Sequence, residues 1–329
     1  MDLLVLGGTI FVGRHFVEAA IAKGHKVTLL HRGQRGADLF PDIDRILADR
    51  DGGLDALGDR TWDAVVDCCG YVPRVVRQSA QALAGRADRY LFVSSLSAYE
   101  MTGDVGIDES APLAKLEDPT VEQVTGESYG GLKALCEAEV QEAFGDGAII
   151  VRPGIIIGPY DPTNRFTYWV DRISSENEVL VPEIMPQPTQ LIDARDLGLW
   201  MLEVLESGPT GIYNAAGPDF PKTFGDMIDA CHALNPSASL VFIPEGDLEK
   251  HDLKMWLELP LAVPTGSPSA AIFQVNNRKA IAAGMKFRSW KESAADVLEW
   301  VRGPLPKPTP SHGLDREKEL AVLHLLSNA

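Results

Sequence analysis

Apolar positions in this chain fall into two periods. Residues 2–6, 26–31, 45–49, 62–70, 90–95 and 148–152 are short, nearly continuous apolar runs. That is the pattern of strands buried on both faces. Between them apolar residues recur every three or four positions, which predicts helices. Phe16, Val17, Ala20 and Ile21 mark one, stopped near Lys23 by Gly24. A second spans residues 73–83. A third spans residues 128–144, with Leu132, Cys136, Val140 and Phe144 along one side. Strand and helix alternating in this way predict an α/β fold, a doubly wound parallel sheet with right-handed crossovers.

The later half reads differently. A helix is predicted from Thr223 to about Leu234, with Phe224, Ile228 and Cys231 buried. Ser289 and Glu292 form a capping box on a helix to about Val301, whose apolar face is Trp290, Ala294, Val297 and Val301. Residues 182–188 and 260–268 are proline-rich loops, lids or plain surface loops. Residues 303–310 read as a stiff extended linker. Residues 315–327 follow as an amphipathic helix with Leu320, Leu323 and Leu326 apolar, expected to dock on the body or on a second subunit.

The first strand leads straight into Gly7-Gly8-Thr9-Ile10-Phe11-Val12-Gly13 and then a helix. Glycines between strand and helix of a βαβ unit are the setting of a dinucleotide fingerprint. Gly7 permits the tight turn, Gly13 permits close helix–strand packing, and the helix N-terminus offers free N–H groups to a pyrophosphate. The middle glycine of the pattern is Ile10 here, so its side chain must point away or the diphosphate sits displaced. The second strand ends in Leu30-His31-Arg32-Gly33-Gln34-Arg35 with no acid. An acid there suits the ribose of NAD, whereas an arginine suits a 2′-phosphate. NADP (NADPH) is therefore the preferred cofactor, with NAD the alternative, Arg32 the principal contact and Arg35 secondary.

Ligands bind at the carboxyl ends of such strands. Those ends gather Gly7, Thr9, Ile10, Phe11, Val12, Gly13, His31, Arg32, Arg35, Asp49, Arg50, Cys68, Cys69 and Gly70 around one crevice, with Ser94, Pro153, Gly154, Ile155 and Ile156 beyond. Tyr129 and Lys133 lie four residues apart, on one helical face. An ammonium beside a phenol lowers the phenol's pKa from about 10 and makes it usable near neutral pH.

These pieces resemble the short-chain dehydrogenase/reductase superfamily, in its extended, epimerase-like branch, the NAD-dependent epimerase/dehydratase family. The resemblance is carried by the glycine turn, Phe92-Val93-Ser94-Ser95-Leu96-Ser97-Ala98-Tyr99, Tyr129-x-x-x-Lys133, Val151-Arg152-Pro153-Gly154 with Ile157-Gly158-Pro159, Gln190 to Leu197, and Ile212 to Gly217. It covers about residues 2–302 and implies a Rossmann-type fold and a hydride-transfer site. Tyr129 would be the general acid/base, Lys133 would hold the nicotinamide ribose, and Ser95 would hold the reacting oxygen, with Ser94 the alternate. It implies substrate contacts after the sixth strand, at Asn164, Arg165, Tyr168 and Trp169, with Tyr71 and Ser97 also facing substrate. Trp169 reads equally as core. Dehydratases of this branch carry Thr-Asp-Glu where this chain has Ser95-Leu96-Ser97, which disfavours water elimination. Reduction, oxidation and epimerisation of a sugar-like or small carbonyl compound stay open. The family also implies a homodimer through the Tyr129 helix. The expected organisation is a dinucleotide-binding domain over residues 1–158 with parts of 189–217, a smaller substrate-binding lobe over 159–188 and 218–302, and a linker and helix over 303–329.

The same turn, as Gly-Gly-Thr-x-Phe, also resembles a branch containing chloroplast stem-loop RNA-binding proteins. Formal net charge is −17, from 30 Lys and Arg against 47 Asp and Glu. That argues against a nucleic-acid partner, whose binding needs clustered cations. No apolar run approaches the roughly 20 residues of a membrane span. The first strand is expected to begin at Asp2, with no signal peptide expected before it. Cys68, Cys69, Cys136 and Cys231 form no Cys-x-x-Cys, so reduced thiols in the cytoplasm are expected. Gly126-Glu127-Ser128-Tyr129-Gly130 matches Gly-x-Ser-x-Gly but lacks the strand a nucleophile elbow requires. The seven histidines show no metal spacing, and no metal is expected.

Overall fold

The computed structural model describes residues 1–305, 307, 309 and 311–328. Pro306, Pro308 and Pro310 of the expected stiff linker lie outside the described residues. The elements run β1 (Asp2–Leu6), α1 (Phe11–Ala22), β2 (Lys26–His31), β3 (Asp44–Leu47), β4 (Ala64–Asp67), α2 (Pro73–Leu83), β5 (Arg89–Val93), α3 (Tyr129–Phe144) and β6 (Ala148–Pro153). Then come β7 (Ile155–Ile157), α4 (Arg165–Ser175), β8 (Glu178–Pro182), β9 (Leu191–Asp193), α5 (Ala194–Ser207), β10 (Gly211–Ala215), α6 (Phe224–His232), β11 (Ser239–Ile243), α7 (Arg278–Ala282), α8 (Trp290–Arg302) and α9 (Arg316–Ser327).

One seven-stranded sheet, ordered β10-β6-β5-β4-β1-β2-β3 and parallel throughout, forms the centre. The chain reverses direction between β1 and β4, the switch point where doubly wound sheets bind ligands. Alternation along β1 explains the layering. Leu3 and Val5 pack with Phe16 of α1 and Trp200 and Met201 of α5, whereas Leu4 and Leu6 pack with Val76 and Leu83 of α2 and Cys136 and Val140 of α3. Both faces are covered by helices, which is why these strands are apolar without interruption.

A separate core lies beyond β7. Phe166 and Trp169 of α4, Val179 and Val181 of β8, Phe224 and Ile228 of α6, and Val297 of α8 pack together there. The capping boxes at Thr223 and Ser289 are both formed, the first with Asp226. Helix α9 joins this core through Val322 and Leu323. Glu319 of α9 is fully buried, accepts from the Leu180 N–H at 2.9 Å and pairs with Arg172 and Arg316. A buried carboxylate is tolerated because its oxygens are filled. Three strands are shorter than their apolar runs, β5 ending at Val93 before Ser94 and Ser95. In residues 62–70, Trp62 and the Cys68–Gly70 stretch fall outside β4, and β3 stops at Leu47. No helix among the described residues is long and apolar enough to cross a membrane.

Candidate functional site

The glycine turn is tight where the sequence requires it. Gly7 and Gly8 take φ of 96° and 88°, a region that side chains disfavour. A Cβ on Gly13 would sit 2.9 Å from the Gly8 Cα, so α1 approaches the turn as closely as two glycines allow. No side chain caps the N-terminus of α1 and no acid lies in its first turn, leaving its N–H groups and dipole open to an anion. Ile10 is extended (φ −132°) and Phe11 takes the left-handed backbone instead (φ 38°). Ile10 stays at the crevice wall, 43 % exposed.

This turn opens on a cavity of about 980 Å³ along the carboxyl ends of the strands. Its walls include the turn from Gly7 to Gly13, His31, Arg32, Arg35, Asp49, Arg50, Cys68, Cys69, Tyr71, Ser94, Ser95, Ser97, Tyr129, Lys133, Arg165 and the stretch from Pro153 to Ile156. Among the described residues Arg32 has only a loose partner, Asp49 at 3.7 Å, and both are more than half exposed. His31 accepts the Gly33 N–H on Nδ1 at 3.0 Å. Burial, aided by Arg45, holds its pKa below the ordinary value, so it is neutral and Nε2 carries the proton. That buried Nε2 has no partner among the described residues.

Arg50 is occupied differently from the expectation of a cofactor contact. Its guanidinium grips Asp67 in a two-pronged pair, both contacts 2.7 Å, while Tyr90 donates to the same carboxylate at 2.9 Å and Cys69 N–H at 3.0 Å. Burial alone would raise the Asp67 carboxyl, but Arg50 and these donors bring it below its ordinary value. The arginine reaches the crevice wall with its charge already matched. The signal was in the sequence: an acid ending the apolar strand Ala64-Val65-Val66-Asp67 demands a buried cation.

Ser94 and Ser95 separate by role. Ser94 donates to Glu137, which in turn holds Arg152 at 2.6 and 2.9 Å, so its hydroxyl is committed to the core. The alternate assignment of Ser94 as the reacting-oxygen contact is corrected on this ground. Ser95 accepts the Ser97 N–H at 3.1 Å and stands close enough to Tyr129 to stabilise its phenolate.

Lys133 lines the cavity as expected, but it does not act on Tyr129 as the spacing predicted. Its ammonium is 2 % exposed and donates to the Gly70 carbonyl at 2.7 Å and the Val93 carbonyl at 2.8 Å, over the Phe92 ring at 4.1 Å. Gly70 thus contributes a carbonyl to Lys133 and is not among the lining residues. Burial lowers the lysine to about 8. Tyr129 is not lowered as expected: burial raises it, and Ser95 and Arg165 only partly reverse this. Two carbonyls hold the lysine charge, while the phenol loses water.

The substrate candidates divide as well. Tyr71, Ser97 and Arg165 line the cavity. Trp169 is fully buried, with its indole donating to Pro260, and Tyr168 is core beside it. Asn164 turns its amide to the His312 carbonyl. These three are corrected to structural residues, since α4 aims its apolar stripe into the second core. Among the lining residues the sequence did not mark are Asp51, Val72 and Val75 beside the called positions, and Pro162, Thr163, Trp256 and Ile272 further off. Trp256 lies in a loop remote in sequence, and no local pattern marks it.

Comparison with known proteins follows this geometry. Residues 72–216 match the model of the NAD dependent epimerase/dehydratase family. The chain is 26 % identical over 250 residues to the chloroplast stem-loop binding protein of 41 kDa b of Arabidopsis thaliana, covering 70 % of this chain. It spans 62 % of that relative's length. Among solved structures, UDP-N-acetylglucosamine 4-epimerase from Methanobrevibacter ruminantium M1, in complex with UDP-N-acetylmuramic acid, superposes with a TM-score of 0.67 at 16 % identity, covering 91 % of this chain and 97 % of the other. The Bordetella bronchiseptica enzyme WbmH in complex with NAD+ gives 0.67 at 15 %, covering 92 % and 99 %. UDP-glucuronic acid 4-epimerase from Bacillus cereus in complex with NAD gives 0.66 at 15 %, covering 92 % and 97 %. At such identity the likeness is one of fold.

Proposed function

We propose that this chain, whose residues 72–216 belong to the NAD dependent epimerase/dehydratase family, is an NADP(H)-dependent oxidoreductase or epimerase acting at a carbonyl or hydroxyl carbon of a small molecule. The observation that carries the reading is convergence: Ser95, Tyr129 and Lys133 line the same cavity as the glycine turn. The residues fit a dinucleotide. Gly8 and Gly13 let the turn close on the core and on α1, where a Cβ would strike Leu29 and the Gly8 backbone, α1 presents an uncapped N-terminus to the cavity, and His31 Nε2 is a buried donor without a partner among the described residues. Arg32 and Arg35 at the end of β2 support a 2′-phosphate, hence NADP(H) over NAD.

A nicotinamide bound there supplies or accepts the hydride. The protein's part is proton transfer and positioning. Tyr129, held above its ordinary pKa by burial, rests as a neutral phenol and is ready to donate its proton to a carbonyl oxygen. Ser95 Oγ is placed to steady that oxygen. Lys133 is fixed by Gly70 and Val93 beside Tyr71 and Tyr129, and would exchange a carbonyl for a ribose hydroxyl. Because Ser95-Leu96-Ser97 brings no carboxylate, we favour these reactions over dehydration. Four free thiols are consistent with a cytoplasmic protein.

The likeness to a stem-loop binding protein motivates a second reading, a non-catalytic dinucleotide- or RNA-binding protein. The net charge of −17 speaks against an RNA surface. The test is a titration with NADPH and NADH, followed by fluorescence and melting temperature, then turnover of carbonyl compounds by wild type and Tyr129→Phe. The expected result is tight NADPH binding in both proteins and a loss of about 10²–10⁴-fold in kcat for the variant. Absence of dinucleotide binding, or equal turnover by both, would move the binding-protein reading to the front.

A further inference from the structure

Past Tyr129 the cavity ends in a wall that the dinucleotide motifs leave unexplained. Pro162, Thr163 and Arg165 form one side, and Trp256 and Ile272 also line it. Arg165 is built into this wall. Its Nε donates to Thr163 Oγ1 at 3.0 Å, and Thr163 donates its N–H and hydroxyl to the buried Asp161 at 2.8 and 2.7 Å. The Thr163 carbonyl accepts from Ser311 at 3.0 Å. The guanidinium carbon lies 5.6 Å from the Trp256 ring centroid.

Arg165 bonds through Nε alone, and among the described residues neither Nη has a hydrogen-bond partner and no carboxylate lies within ion-pair distance. Asp161 softens the charge from a distance, but its oxygens face Thr163. Burial pulls the guanidinium below its ordinary pKa, as befits a charge short of compensation. Its positive field reaches the phenol, since Arg165 is among the groups that favour the Tyr129 phenolate. The acids lining the cavity, Asp49 and Asp51, belong to its other end, where they pair with Arg32 and Arg74. The substrate end therefore carries a fixed, forked cation beside an indole and no lining carboxylate.

We infer that the substrate bears an anionic group, a carboxylate or a phosphate, that docks on Arg165 while its reacting oxygen sits at Tyr129 and Ser95, with Trp256 covering an apolar face. This assignment of substrate class rests on the proposed function of the same site. A guanidinium presents paired donors that match either oxyanion in two-pronged fashion.

Three matched probes test it by calorimetry on the full chain in saturating NADP+: glucose, glucose 6-phosphate and glucuronate. At least one anion should bind ten or more times as tightly as glucose, by the order of a two-pronged charged contact. A preference for glucose 6-phosphate assigns a phosphate, and one for glucuronate assigns a carboxylate. Arg165→Gln should erase the preference while leaving glucose and NADPH affinity unchanged, and Arg165→Lys should restore part of it. Anions that bind no better than glucose, or a preference that survives in Arg165→Gln, would overturn the inference. Tyr129→Phe keeps the anion preference, so a failure of the proton-transfer reading shows in turnover and leaves this titration intact.

Discussion

Lys133 offers a stability measurement that needs no substrate. Its buried ammonium has a pKa of about 8 in the fold, against an ordinary value of 10.5. Between those values the unfolded chain binds a proton that the folded chain has released, so stability rises with pH across that window. Below about 8 both states are charged and the full burial penalty is present. Above 10.5 both are neutral and it vanishes. At about 1.4 kcal/mol for each tenfold change, the gap corresponds to roughly 3 kcal/mol. The raw pH curve hides this. Cys68, Cys69 and Cys136 are pushed above their ordinary values by burial, and the stability they lend is lost as pH rises. The assay is therefore a difference: urea unfolding of wild type and Lys133→Met from pH 7 to 10.5. The variant leaves the Gly70 and Val93 carbonyls without their donor, an offset that does not depend on pH. Wild type should gain roughly 3 kcal/mol on the variant over the window. Parallel curves would refute the claim that burial, rather than the two carbonyls, governs this lysine.

Two further changes probe distant parts of the same argument. Gly13→Ala puts a Cβ 2.9 Å from the Gly8 Cα, so it should cost about 1–3 kcal/mol by overpacking and weaken NADPH binding, both readable in one thermal-shift titration. Glu319→Ala strips Arg172, Arg316 and the Leu180 N–H of their shared acceptor; a loss of about 3 kcal/mol is expected, the low end for breaking a buried pair because both arginines keep some water, and a melting temperature equal to wild type would contradict the docking of α9.

The fold was legible because the central strands are buried on both faces and their helices on one, so period alone separates them. The βαβ start, α2, the Tyr129 helix and the Ser289 capping box needed nothing more. Strands β8 and β11 escaped notice: they pair only with each other, outside the main sheet, over five residues each. Within the site, residues on local motifs were readable and residues brought in from afar were not. Trp256 belongs to the second kind. The Tyr129–Lys133 spacing places both residues at one cavity, but spacing says nothing of the Gly70 and Val93 carbonyls that take the ammonium. Asp67 at the end of its apolar strand calls for a buried cation, but only the fold shows that Arg50 is that cation.

The tie between Ser311 and Thr163 links the segment before α9 to the far wall of the cavity. A growing polypeptide leaves the ribosome N-terminus first, and folding units form in that order. Every strand of the central sheet has been made once Ala215 is added. Ser311, which braces Thr163, and helix α9 are made only after all of them. The glycine-turn end of the crevice thus has its parts before the Thr163 end does, and a chain released before Ser311 would carry the first without the brace of the second.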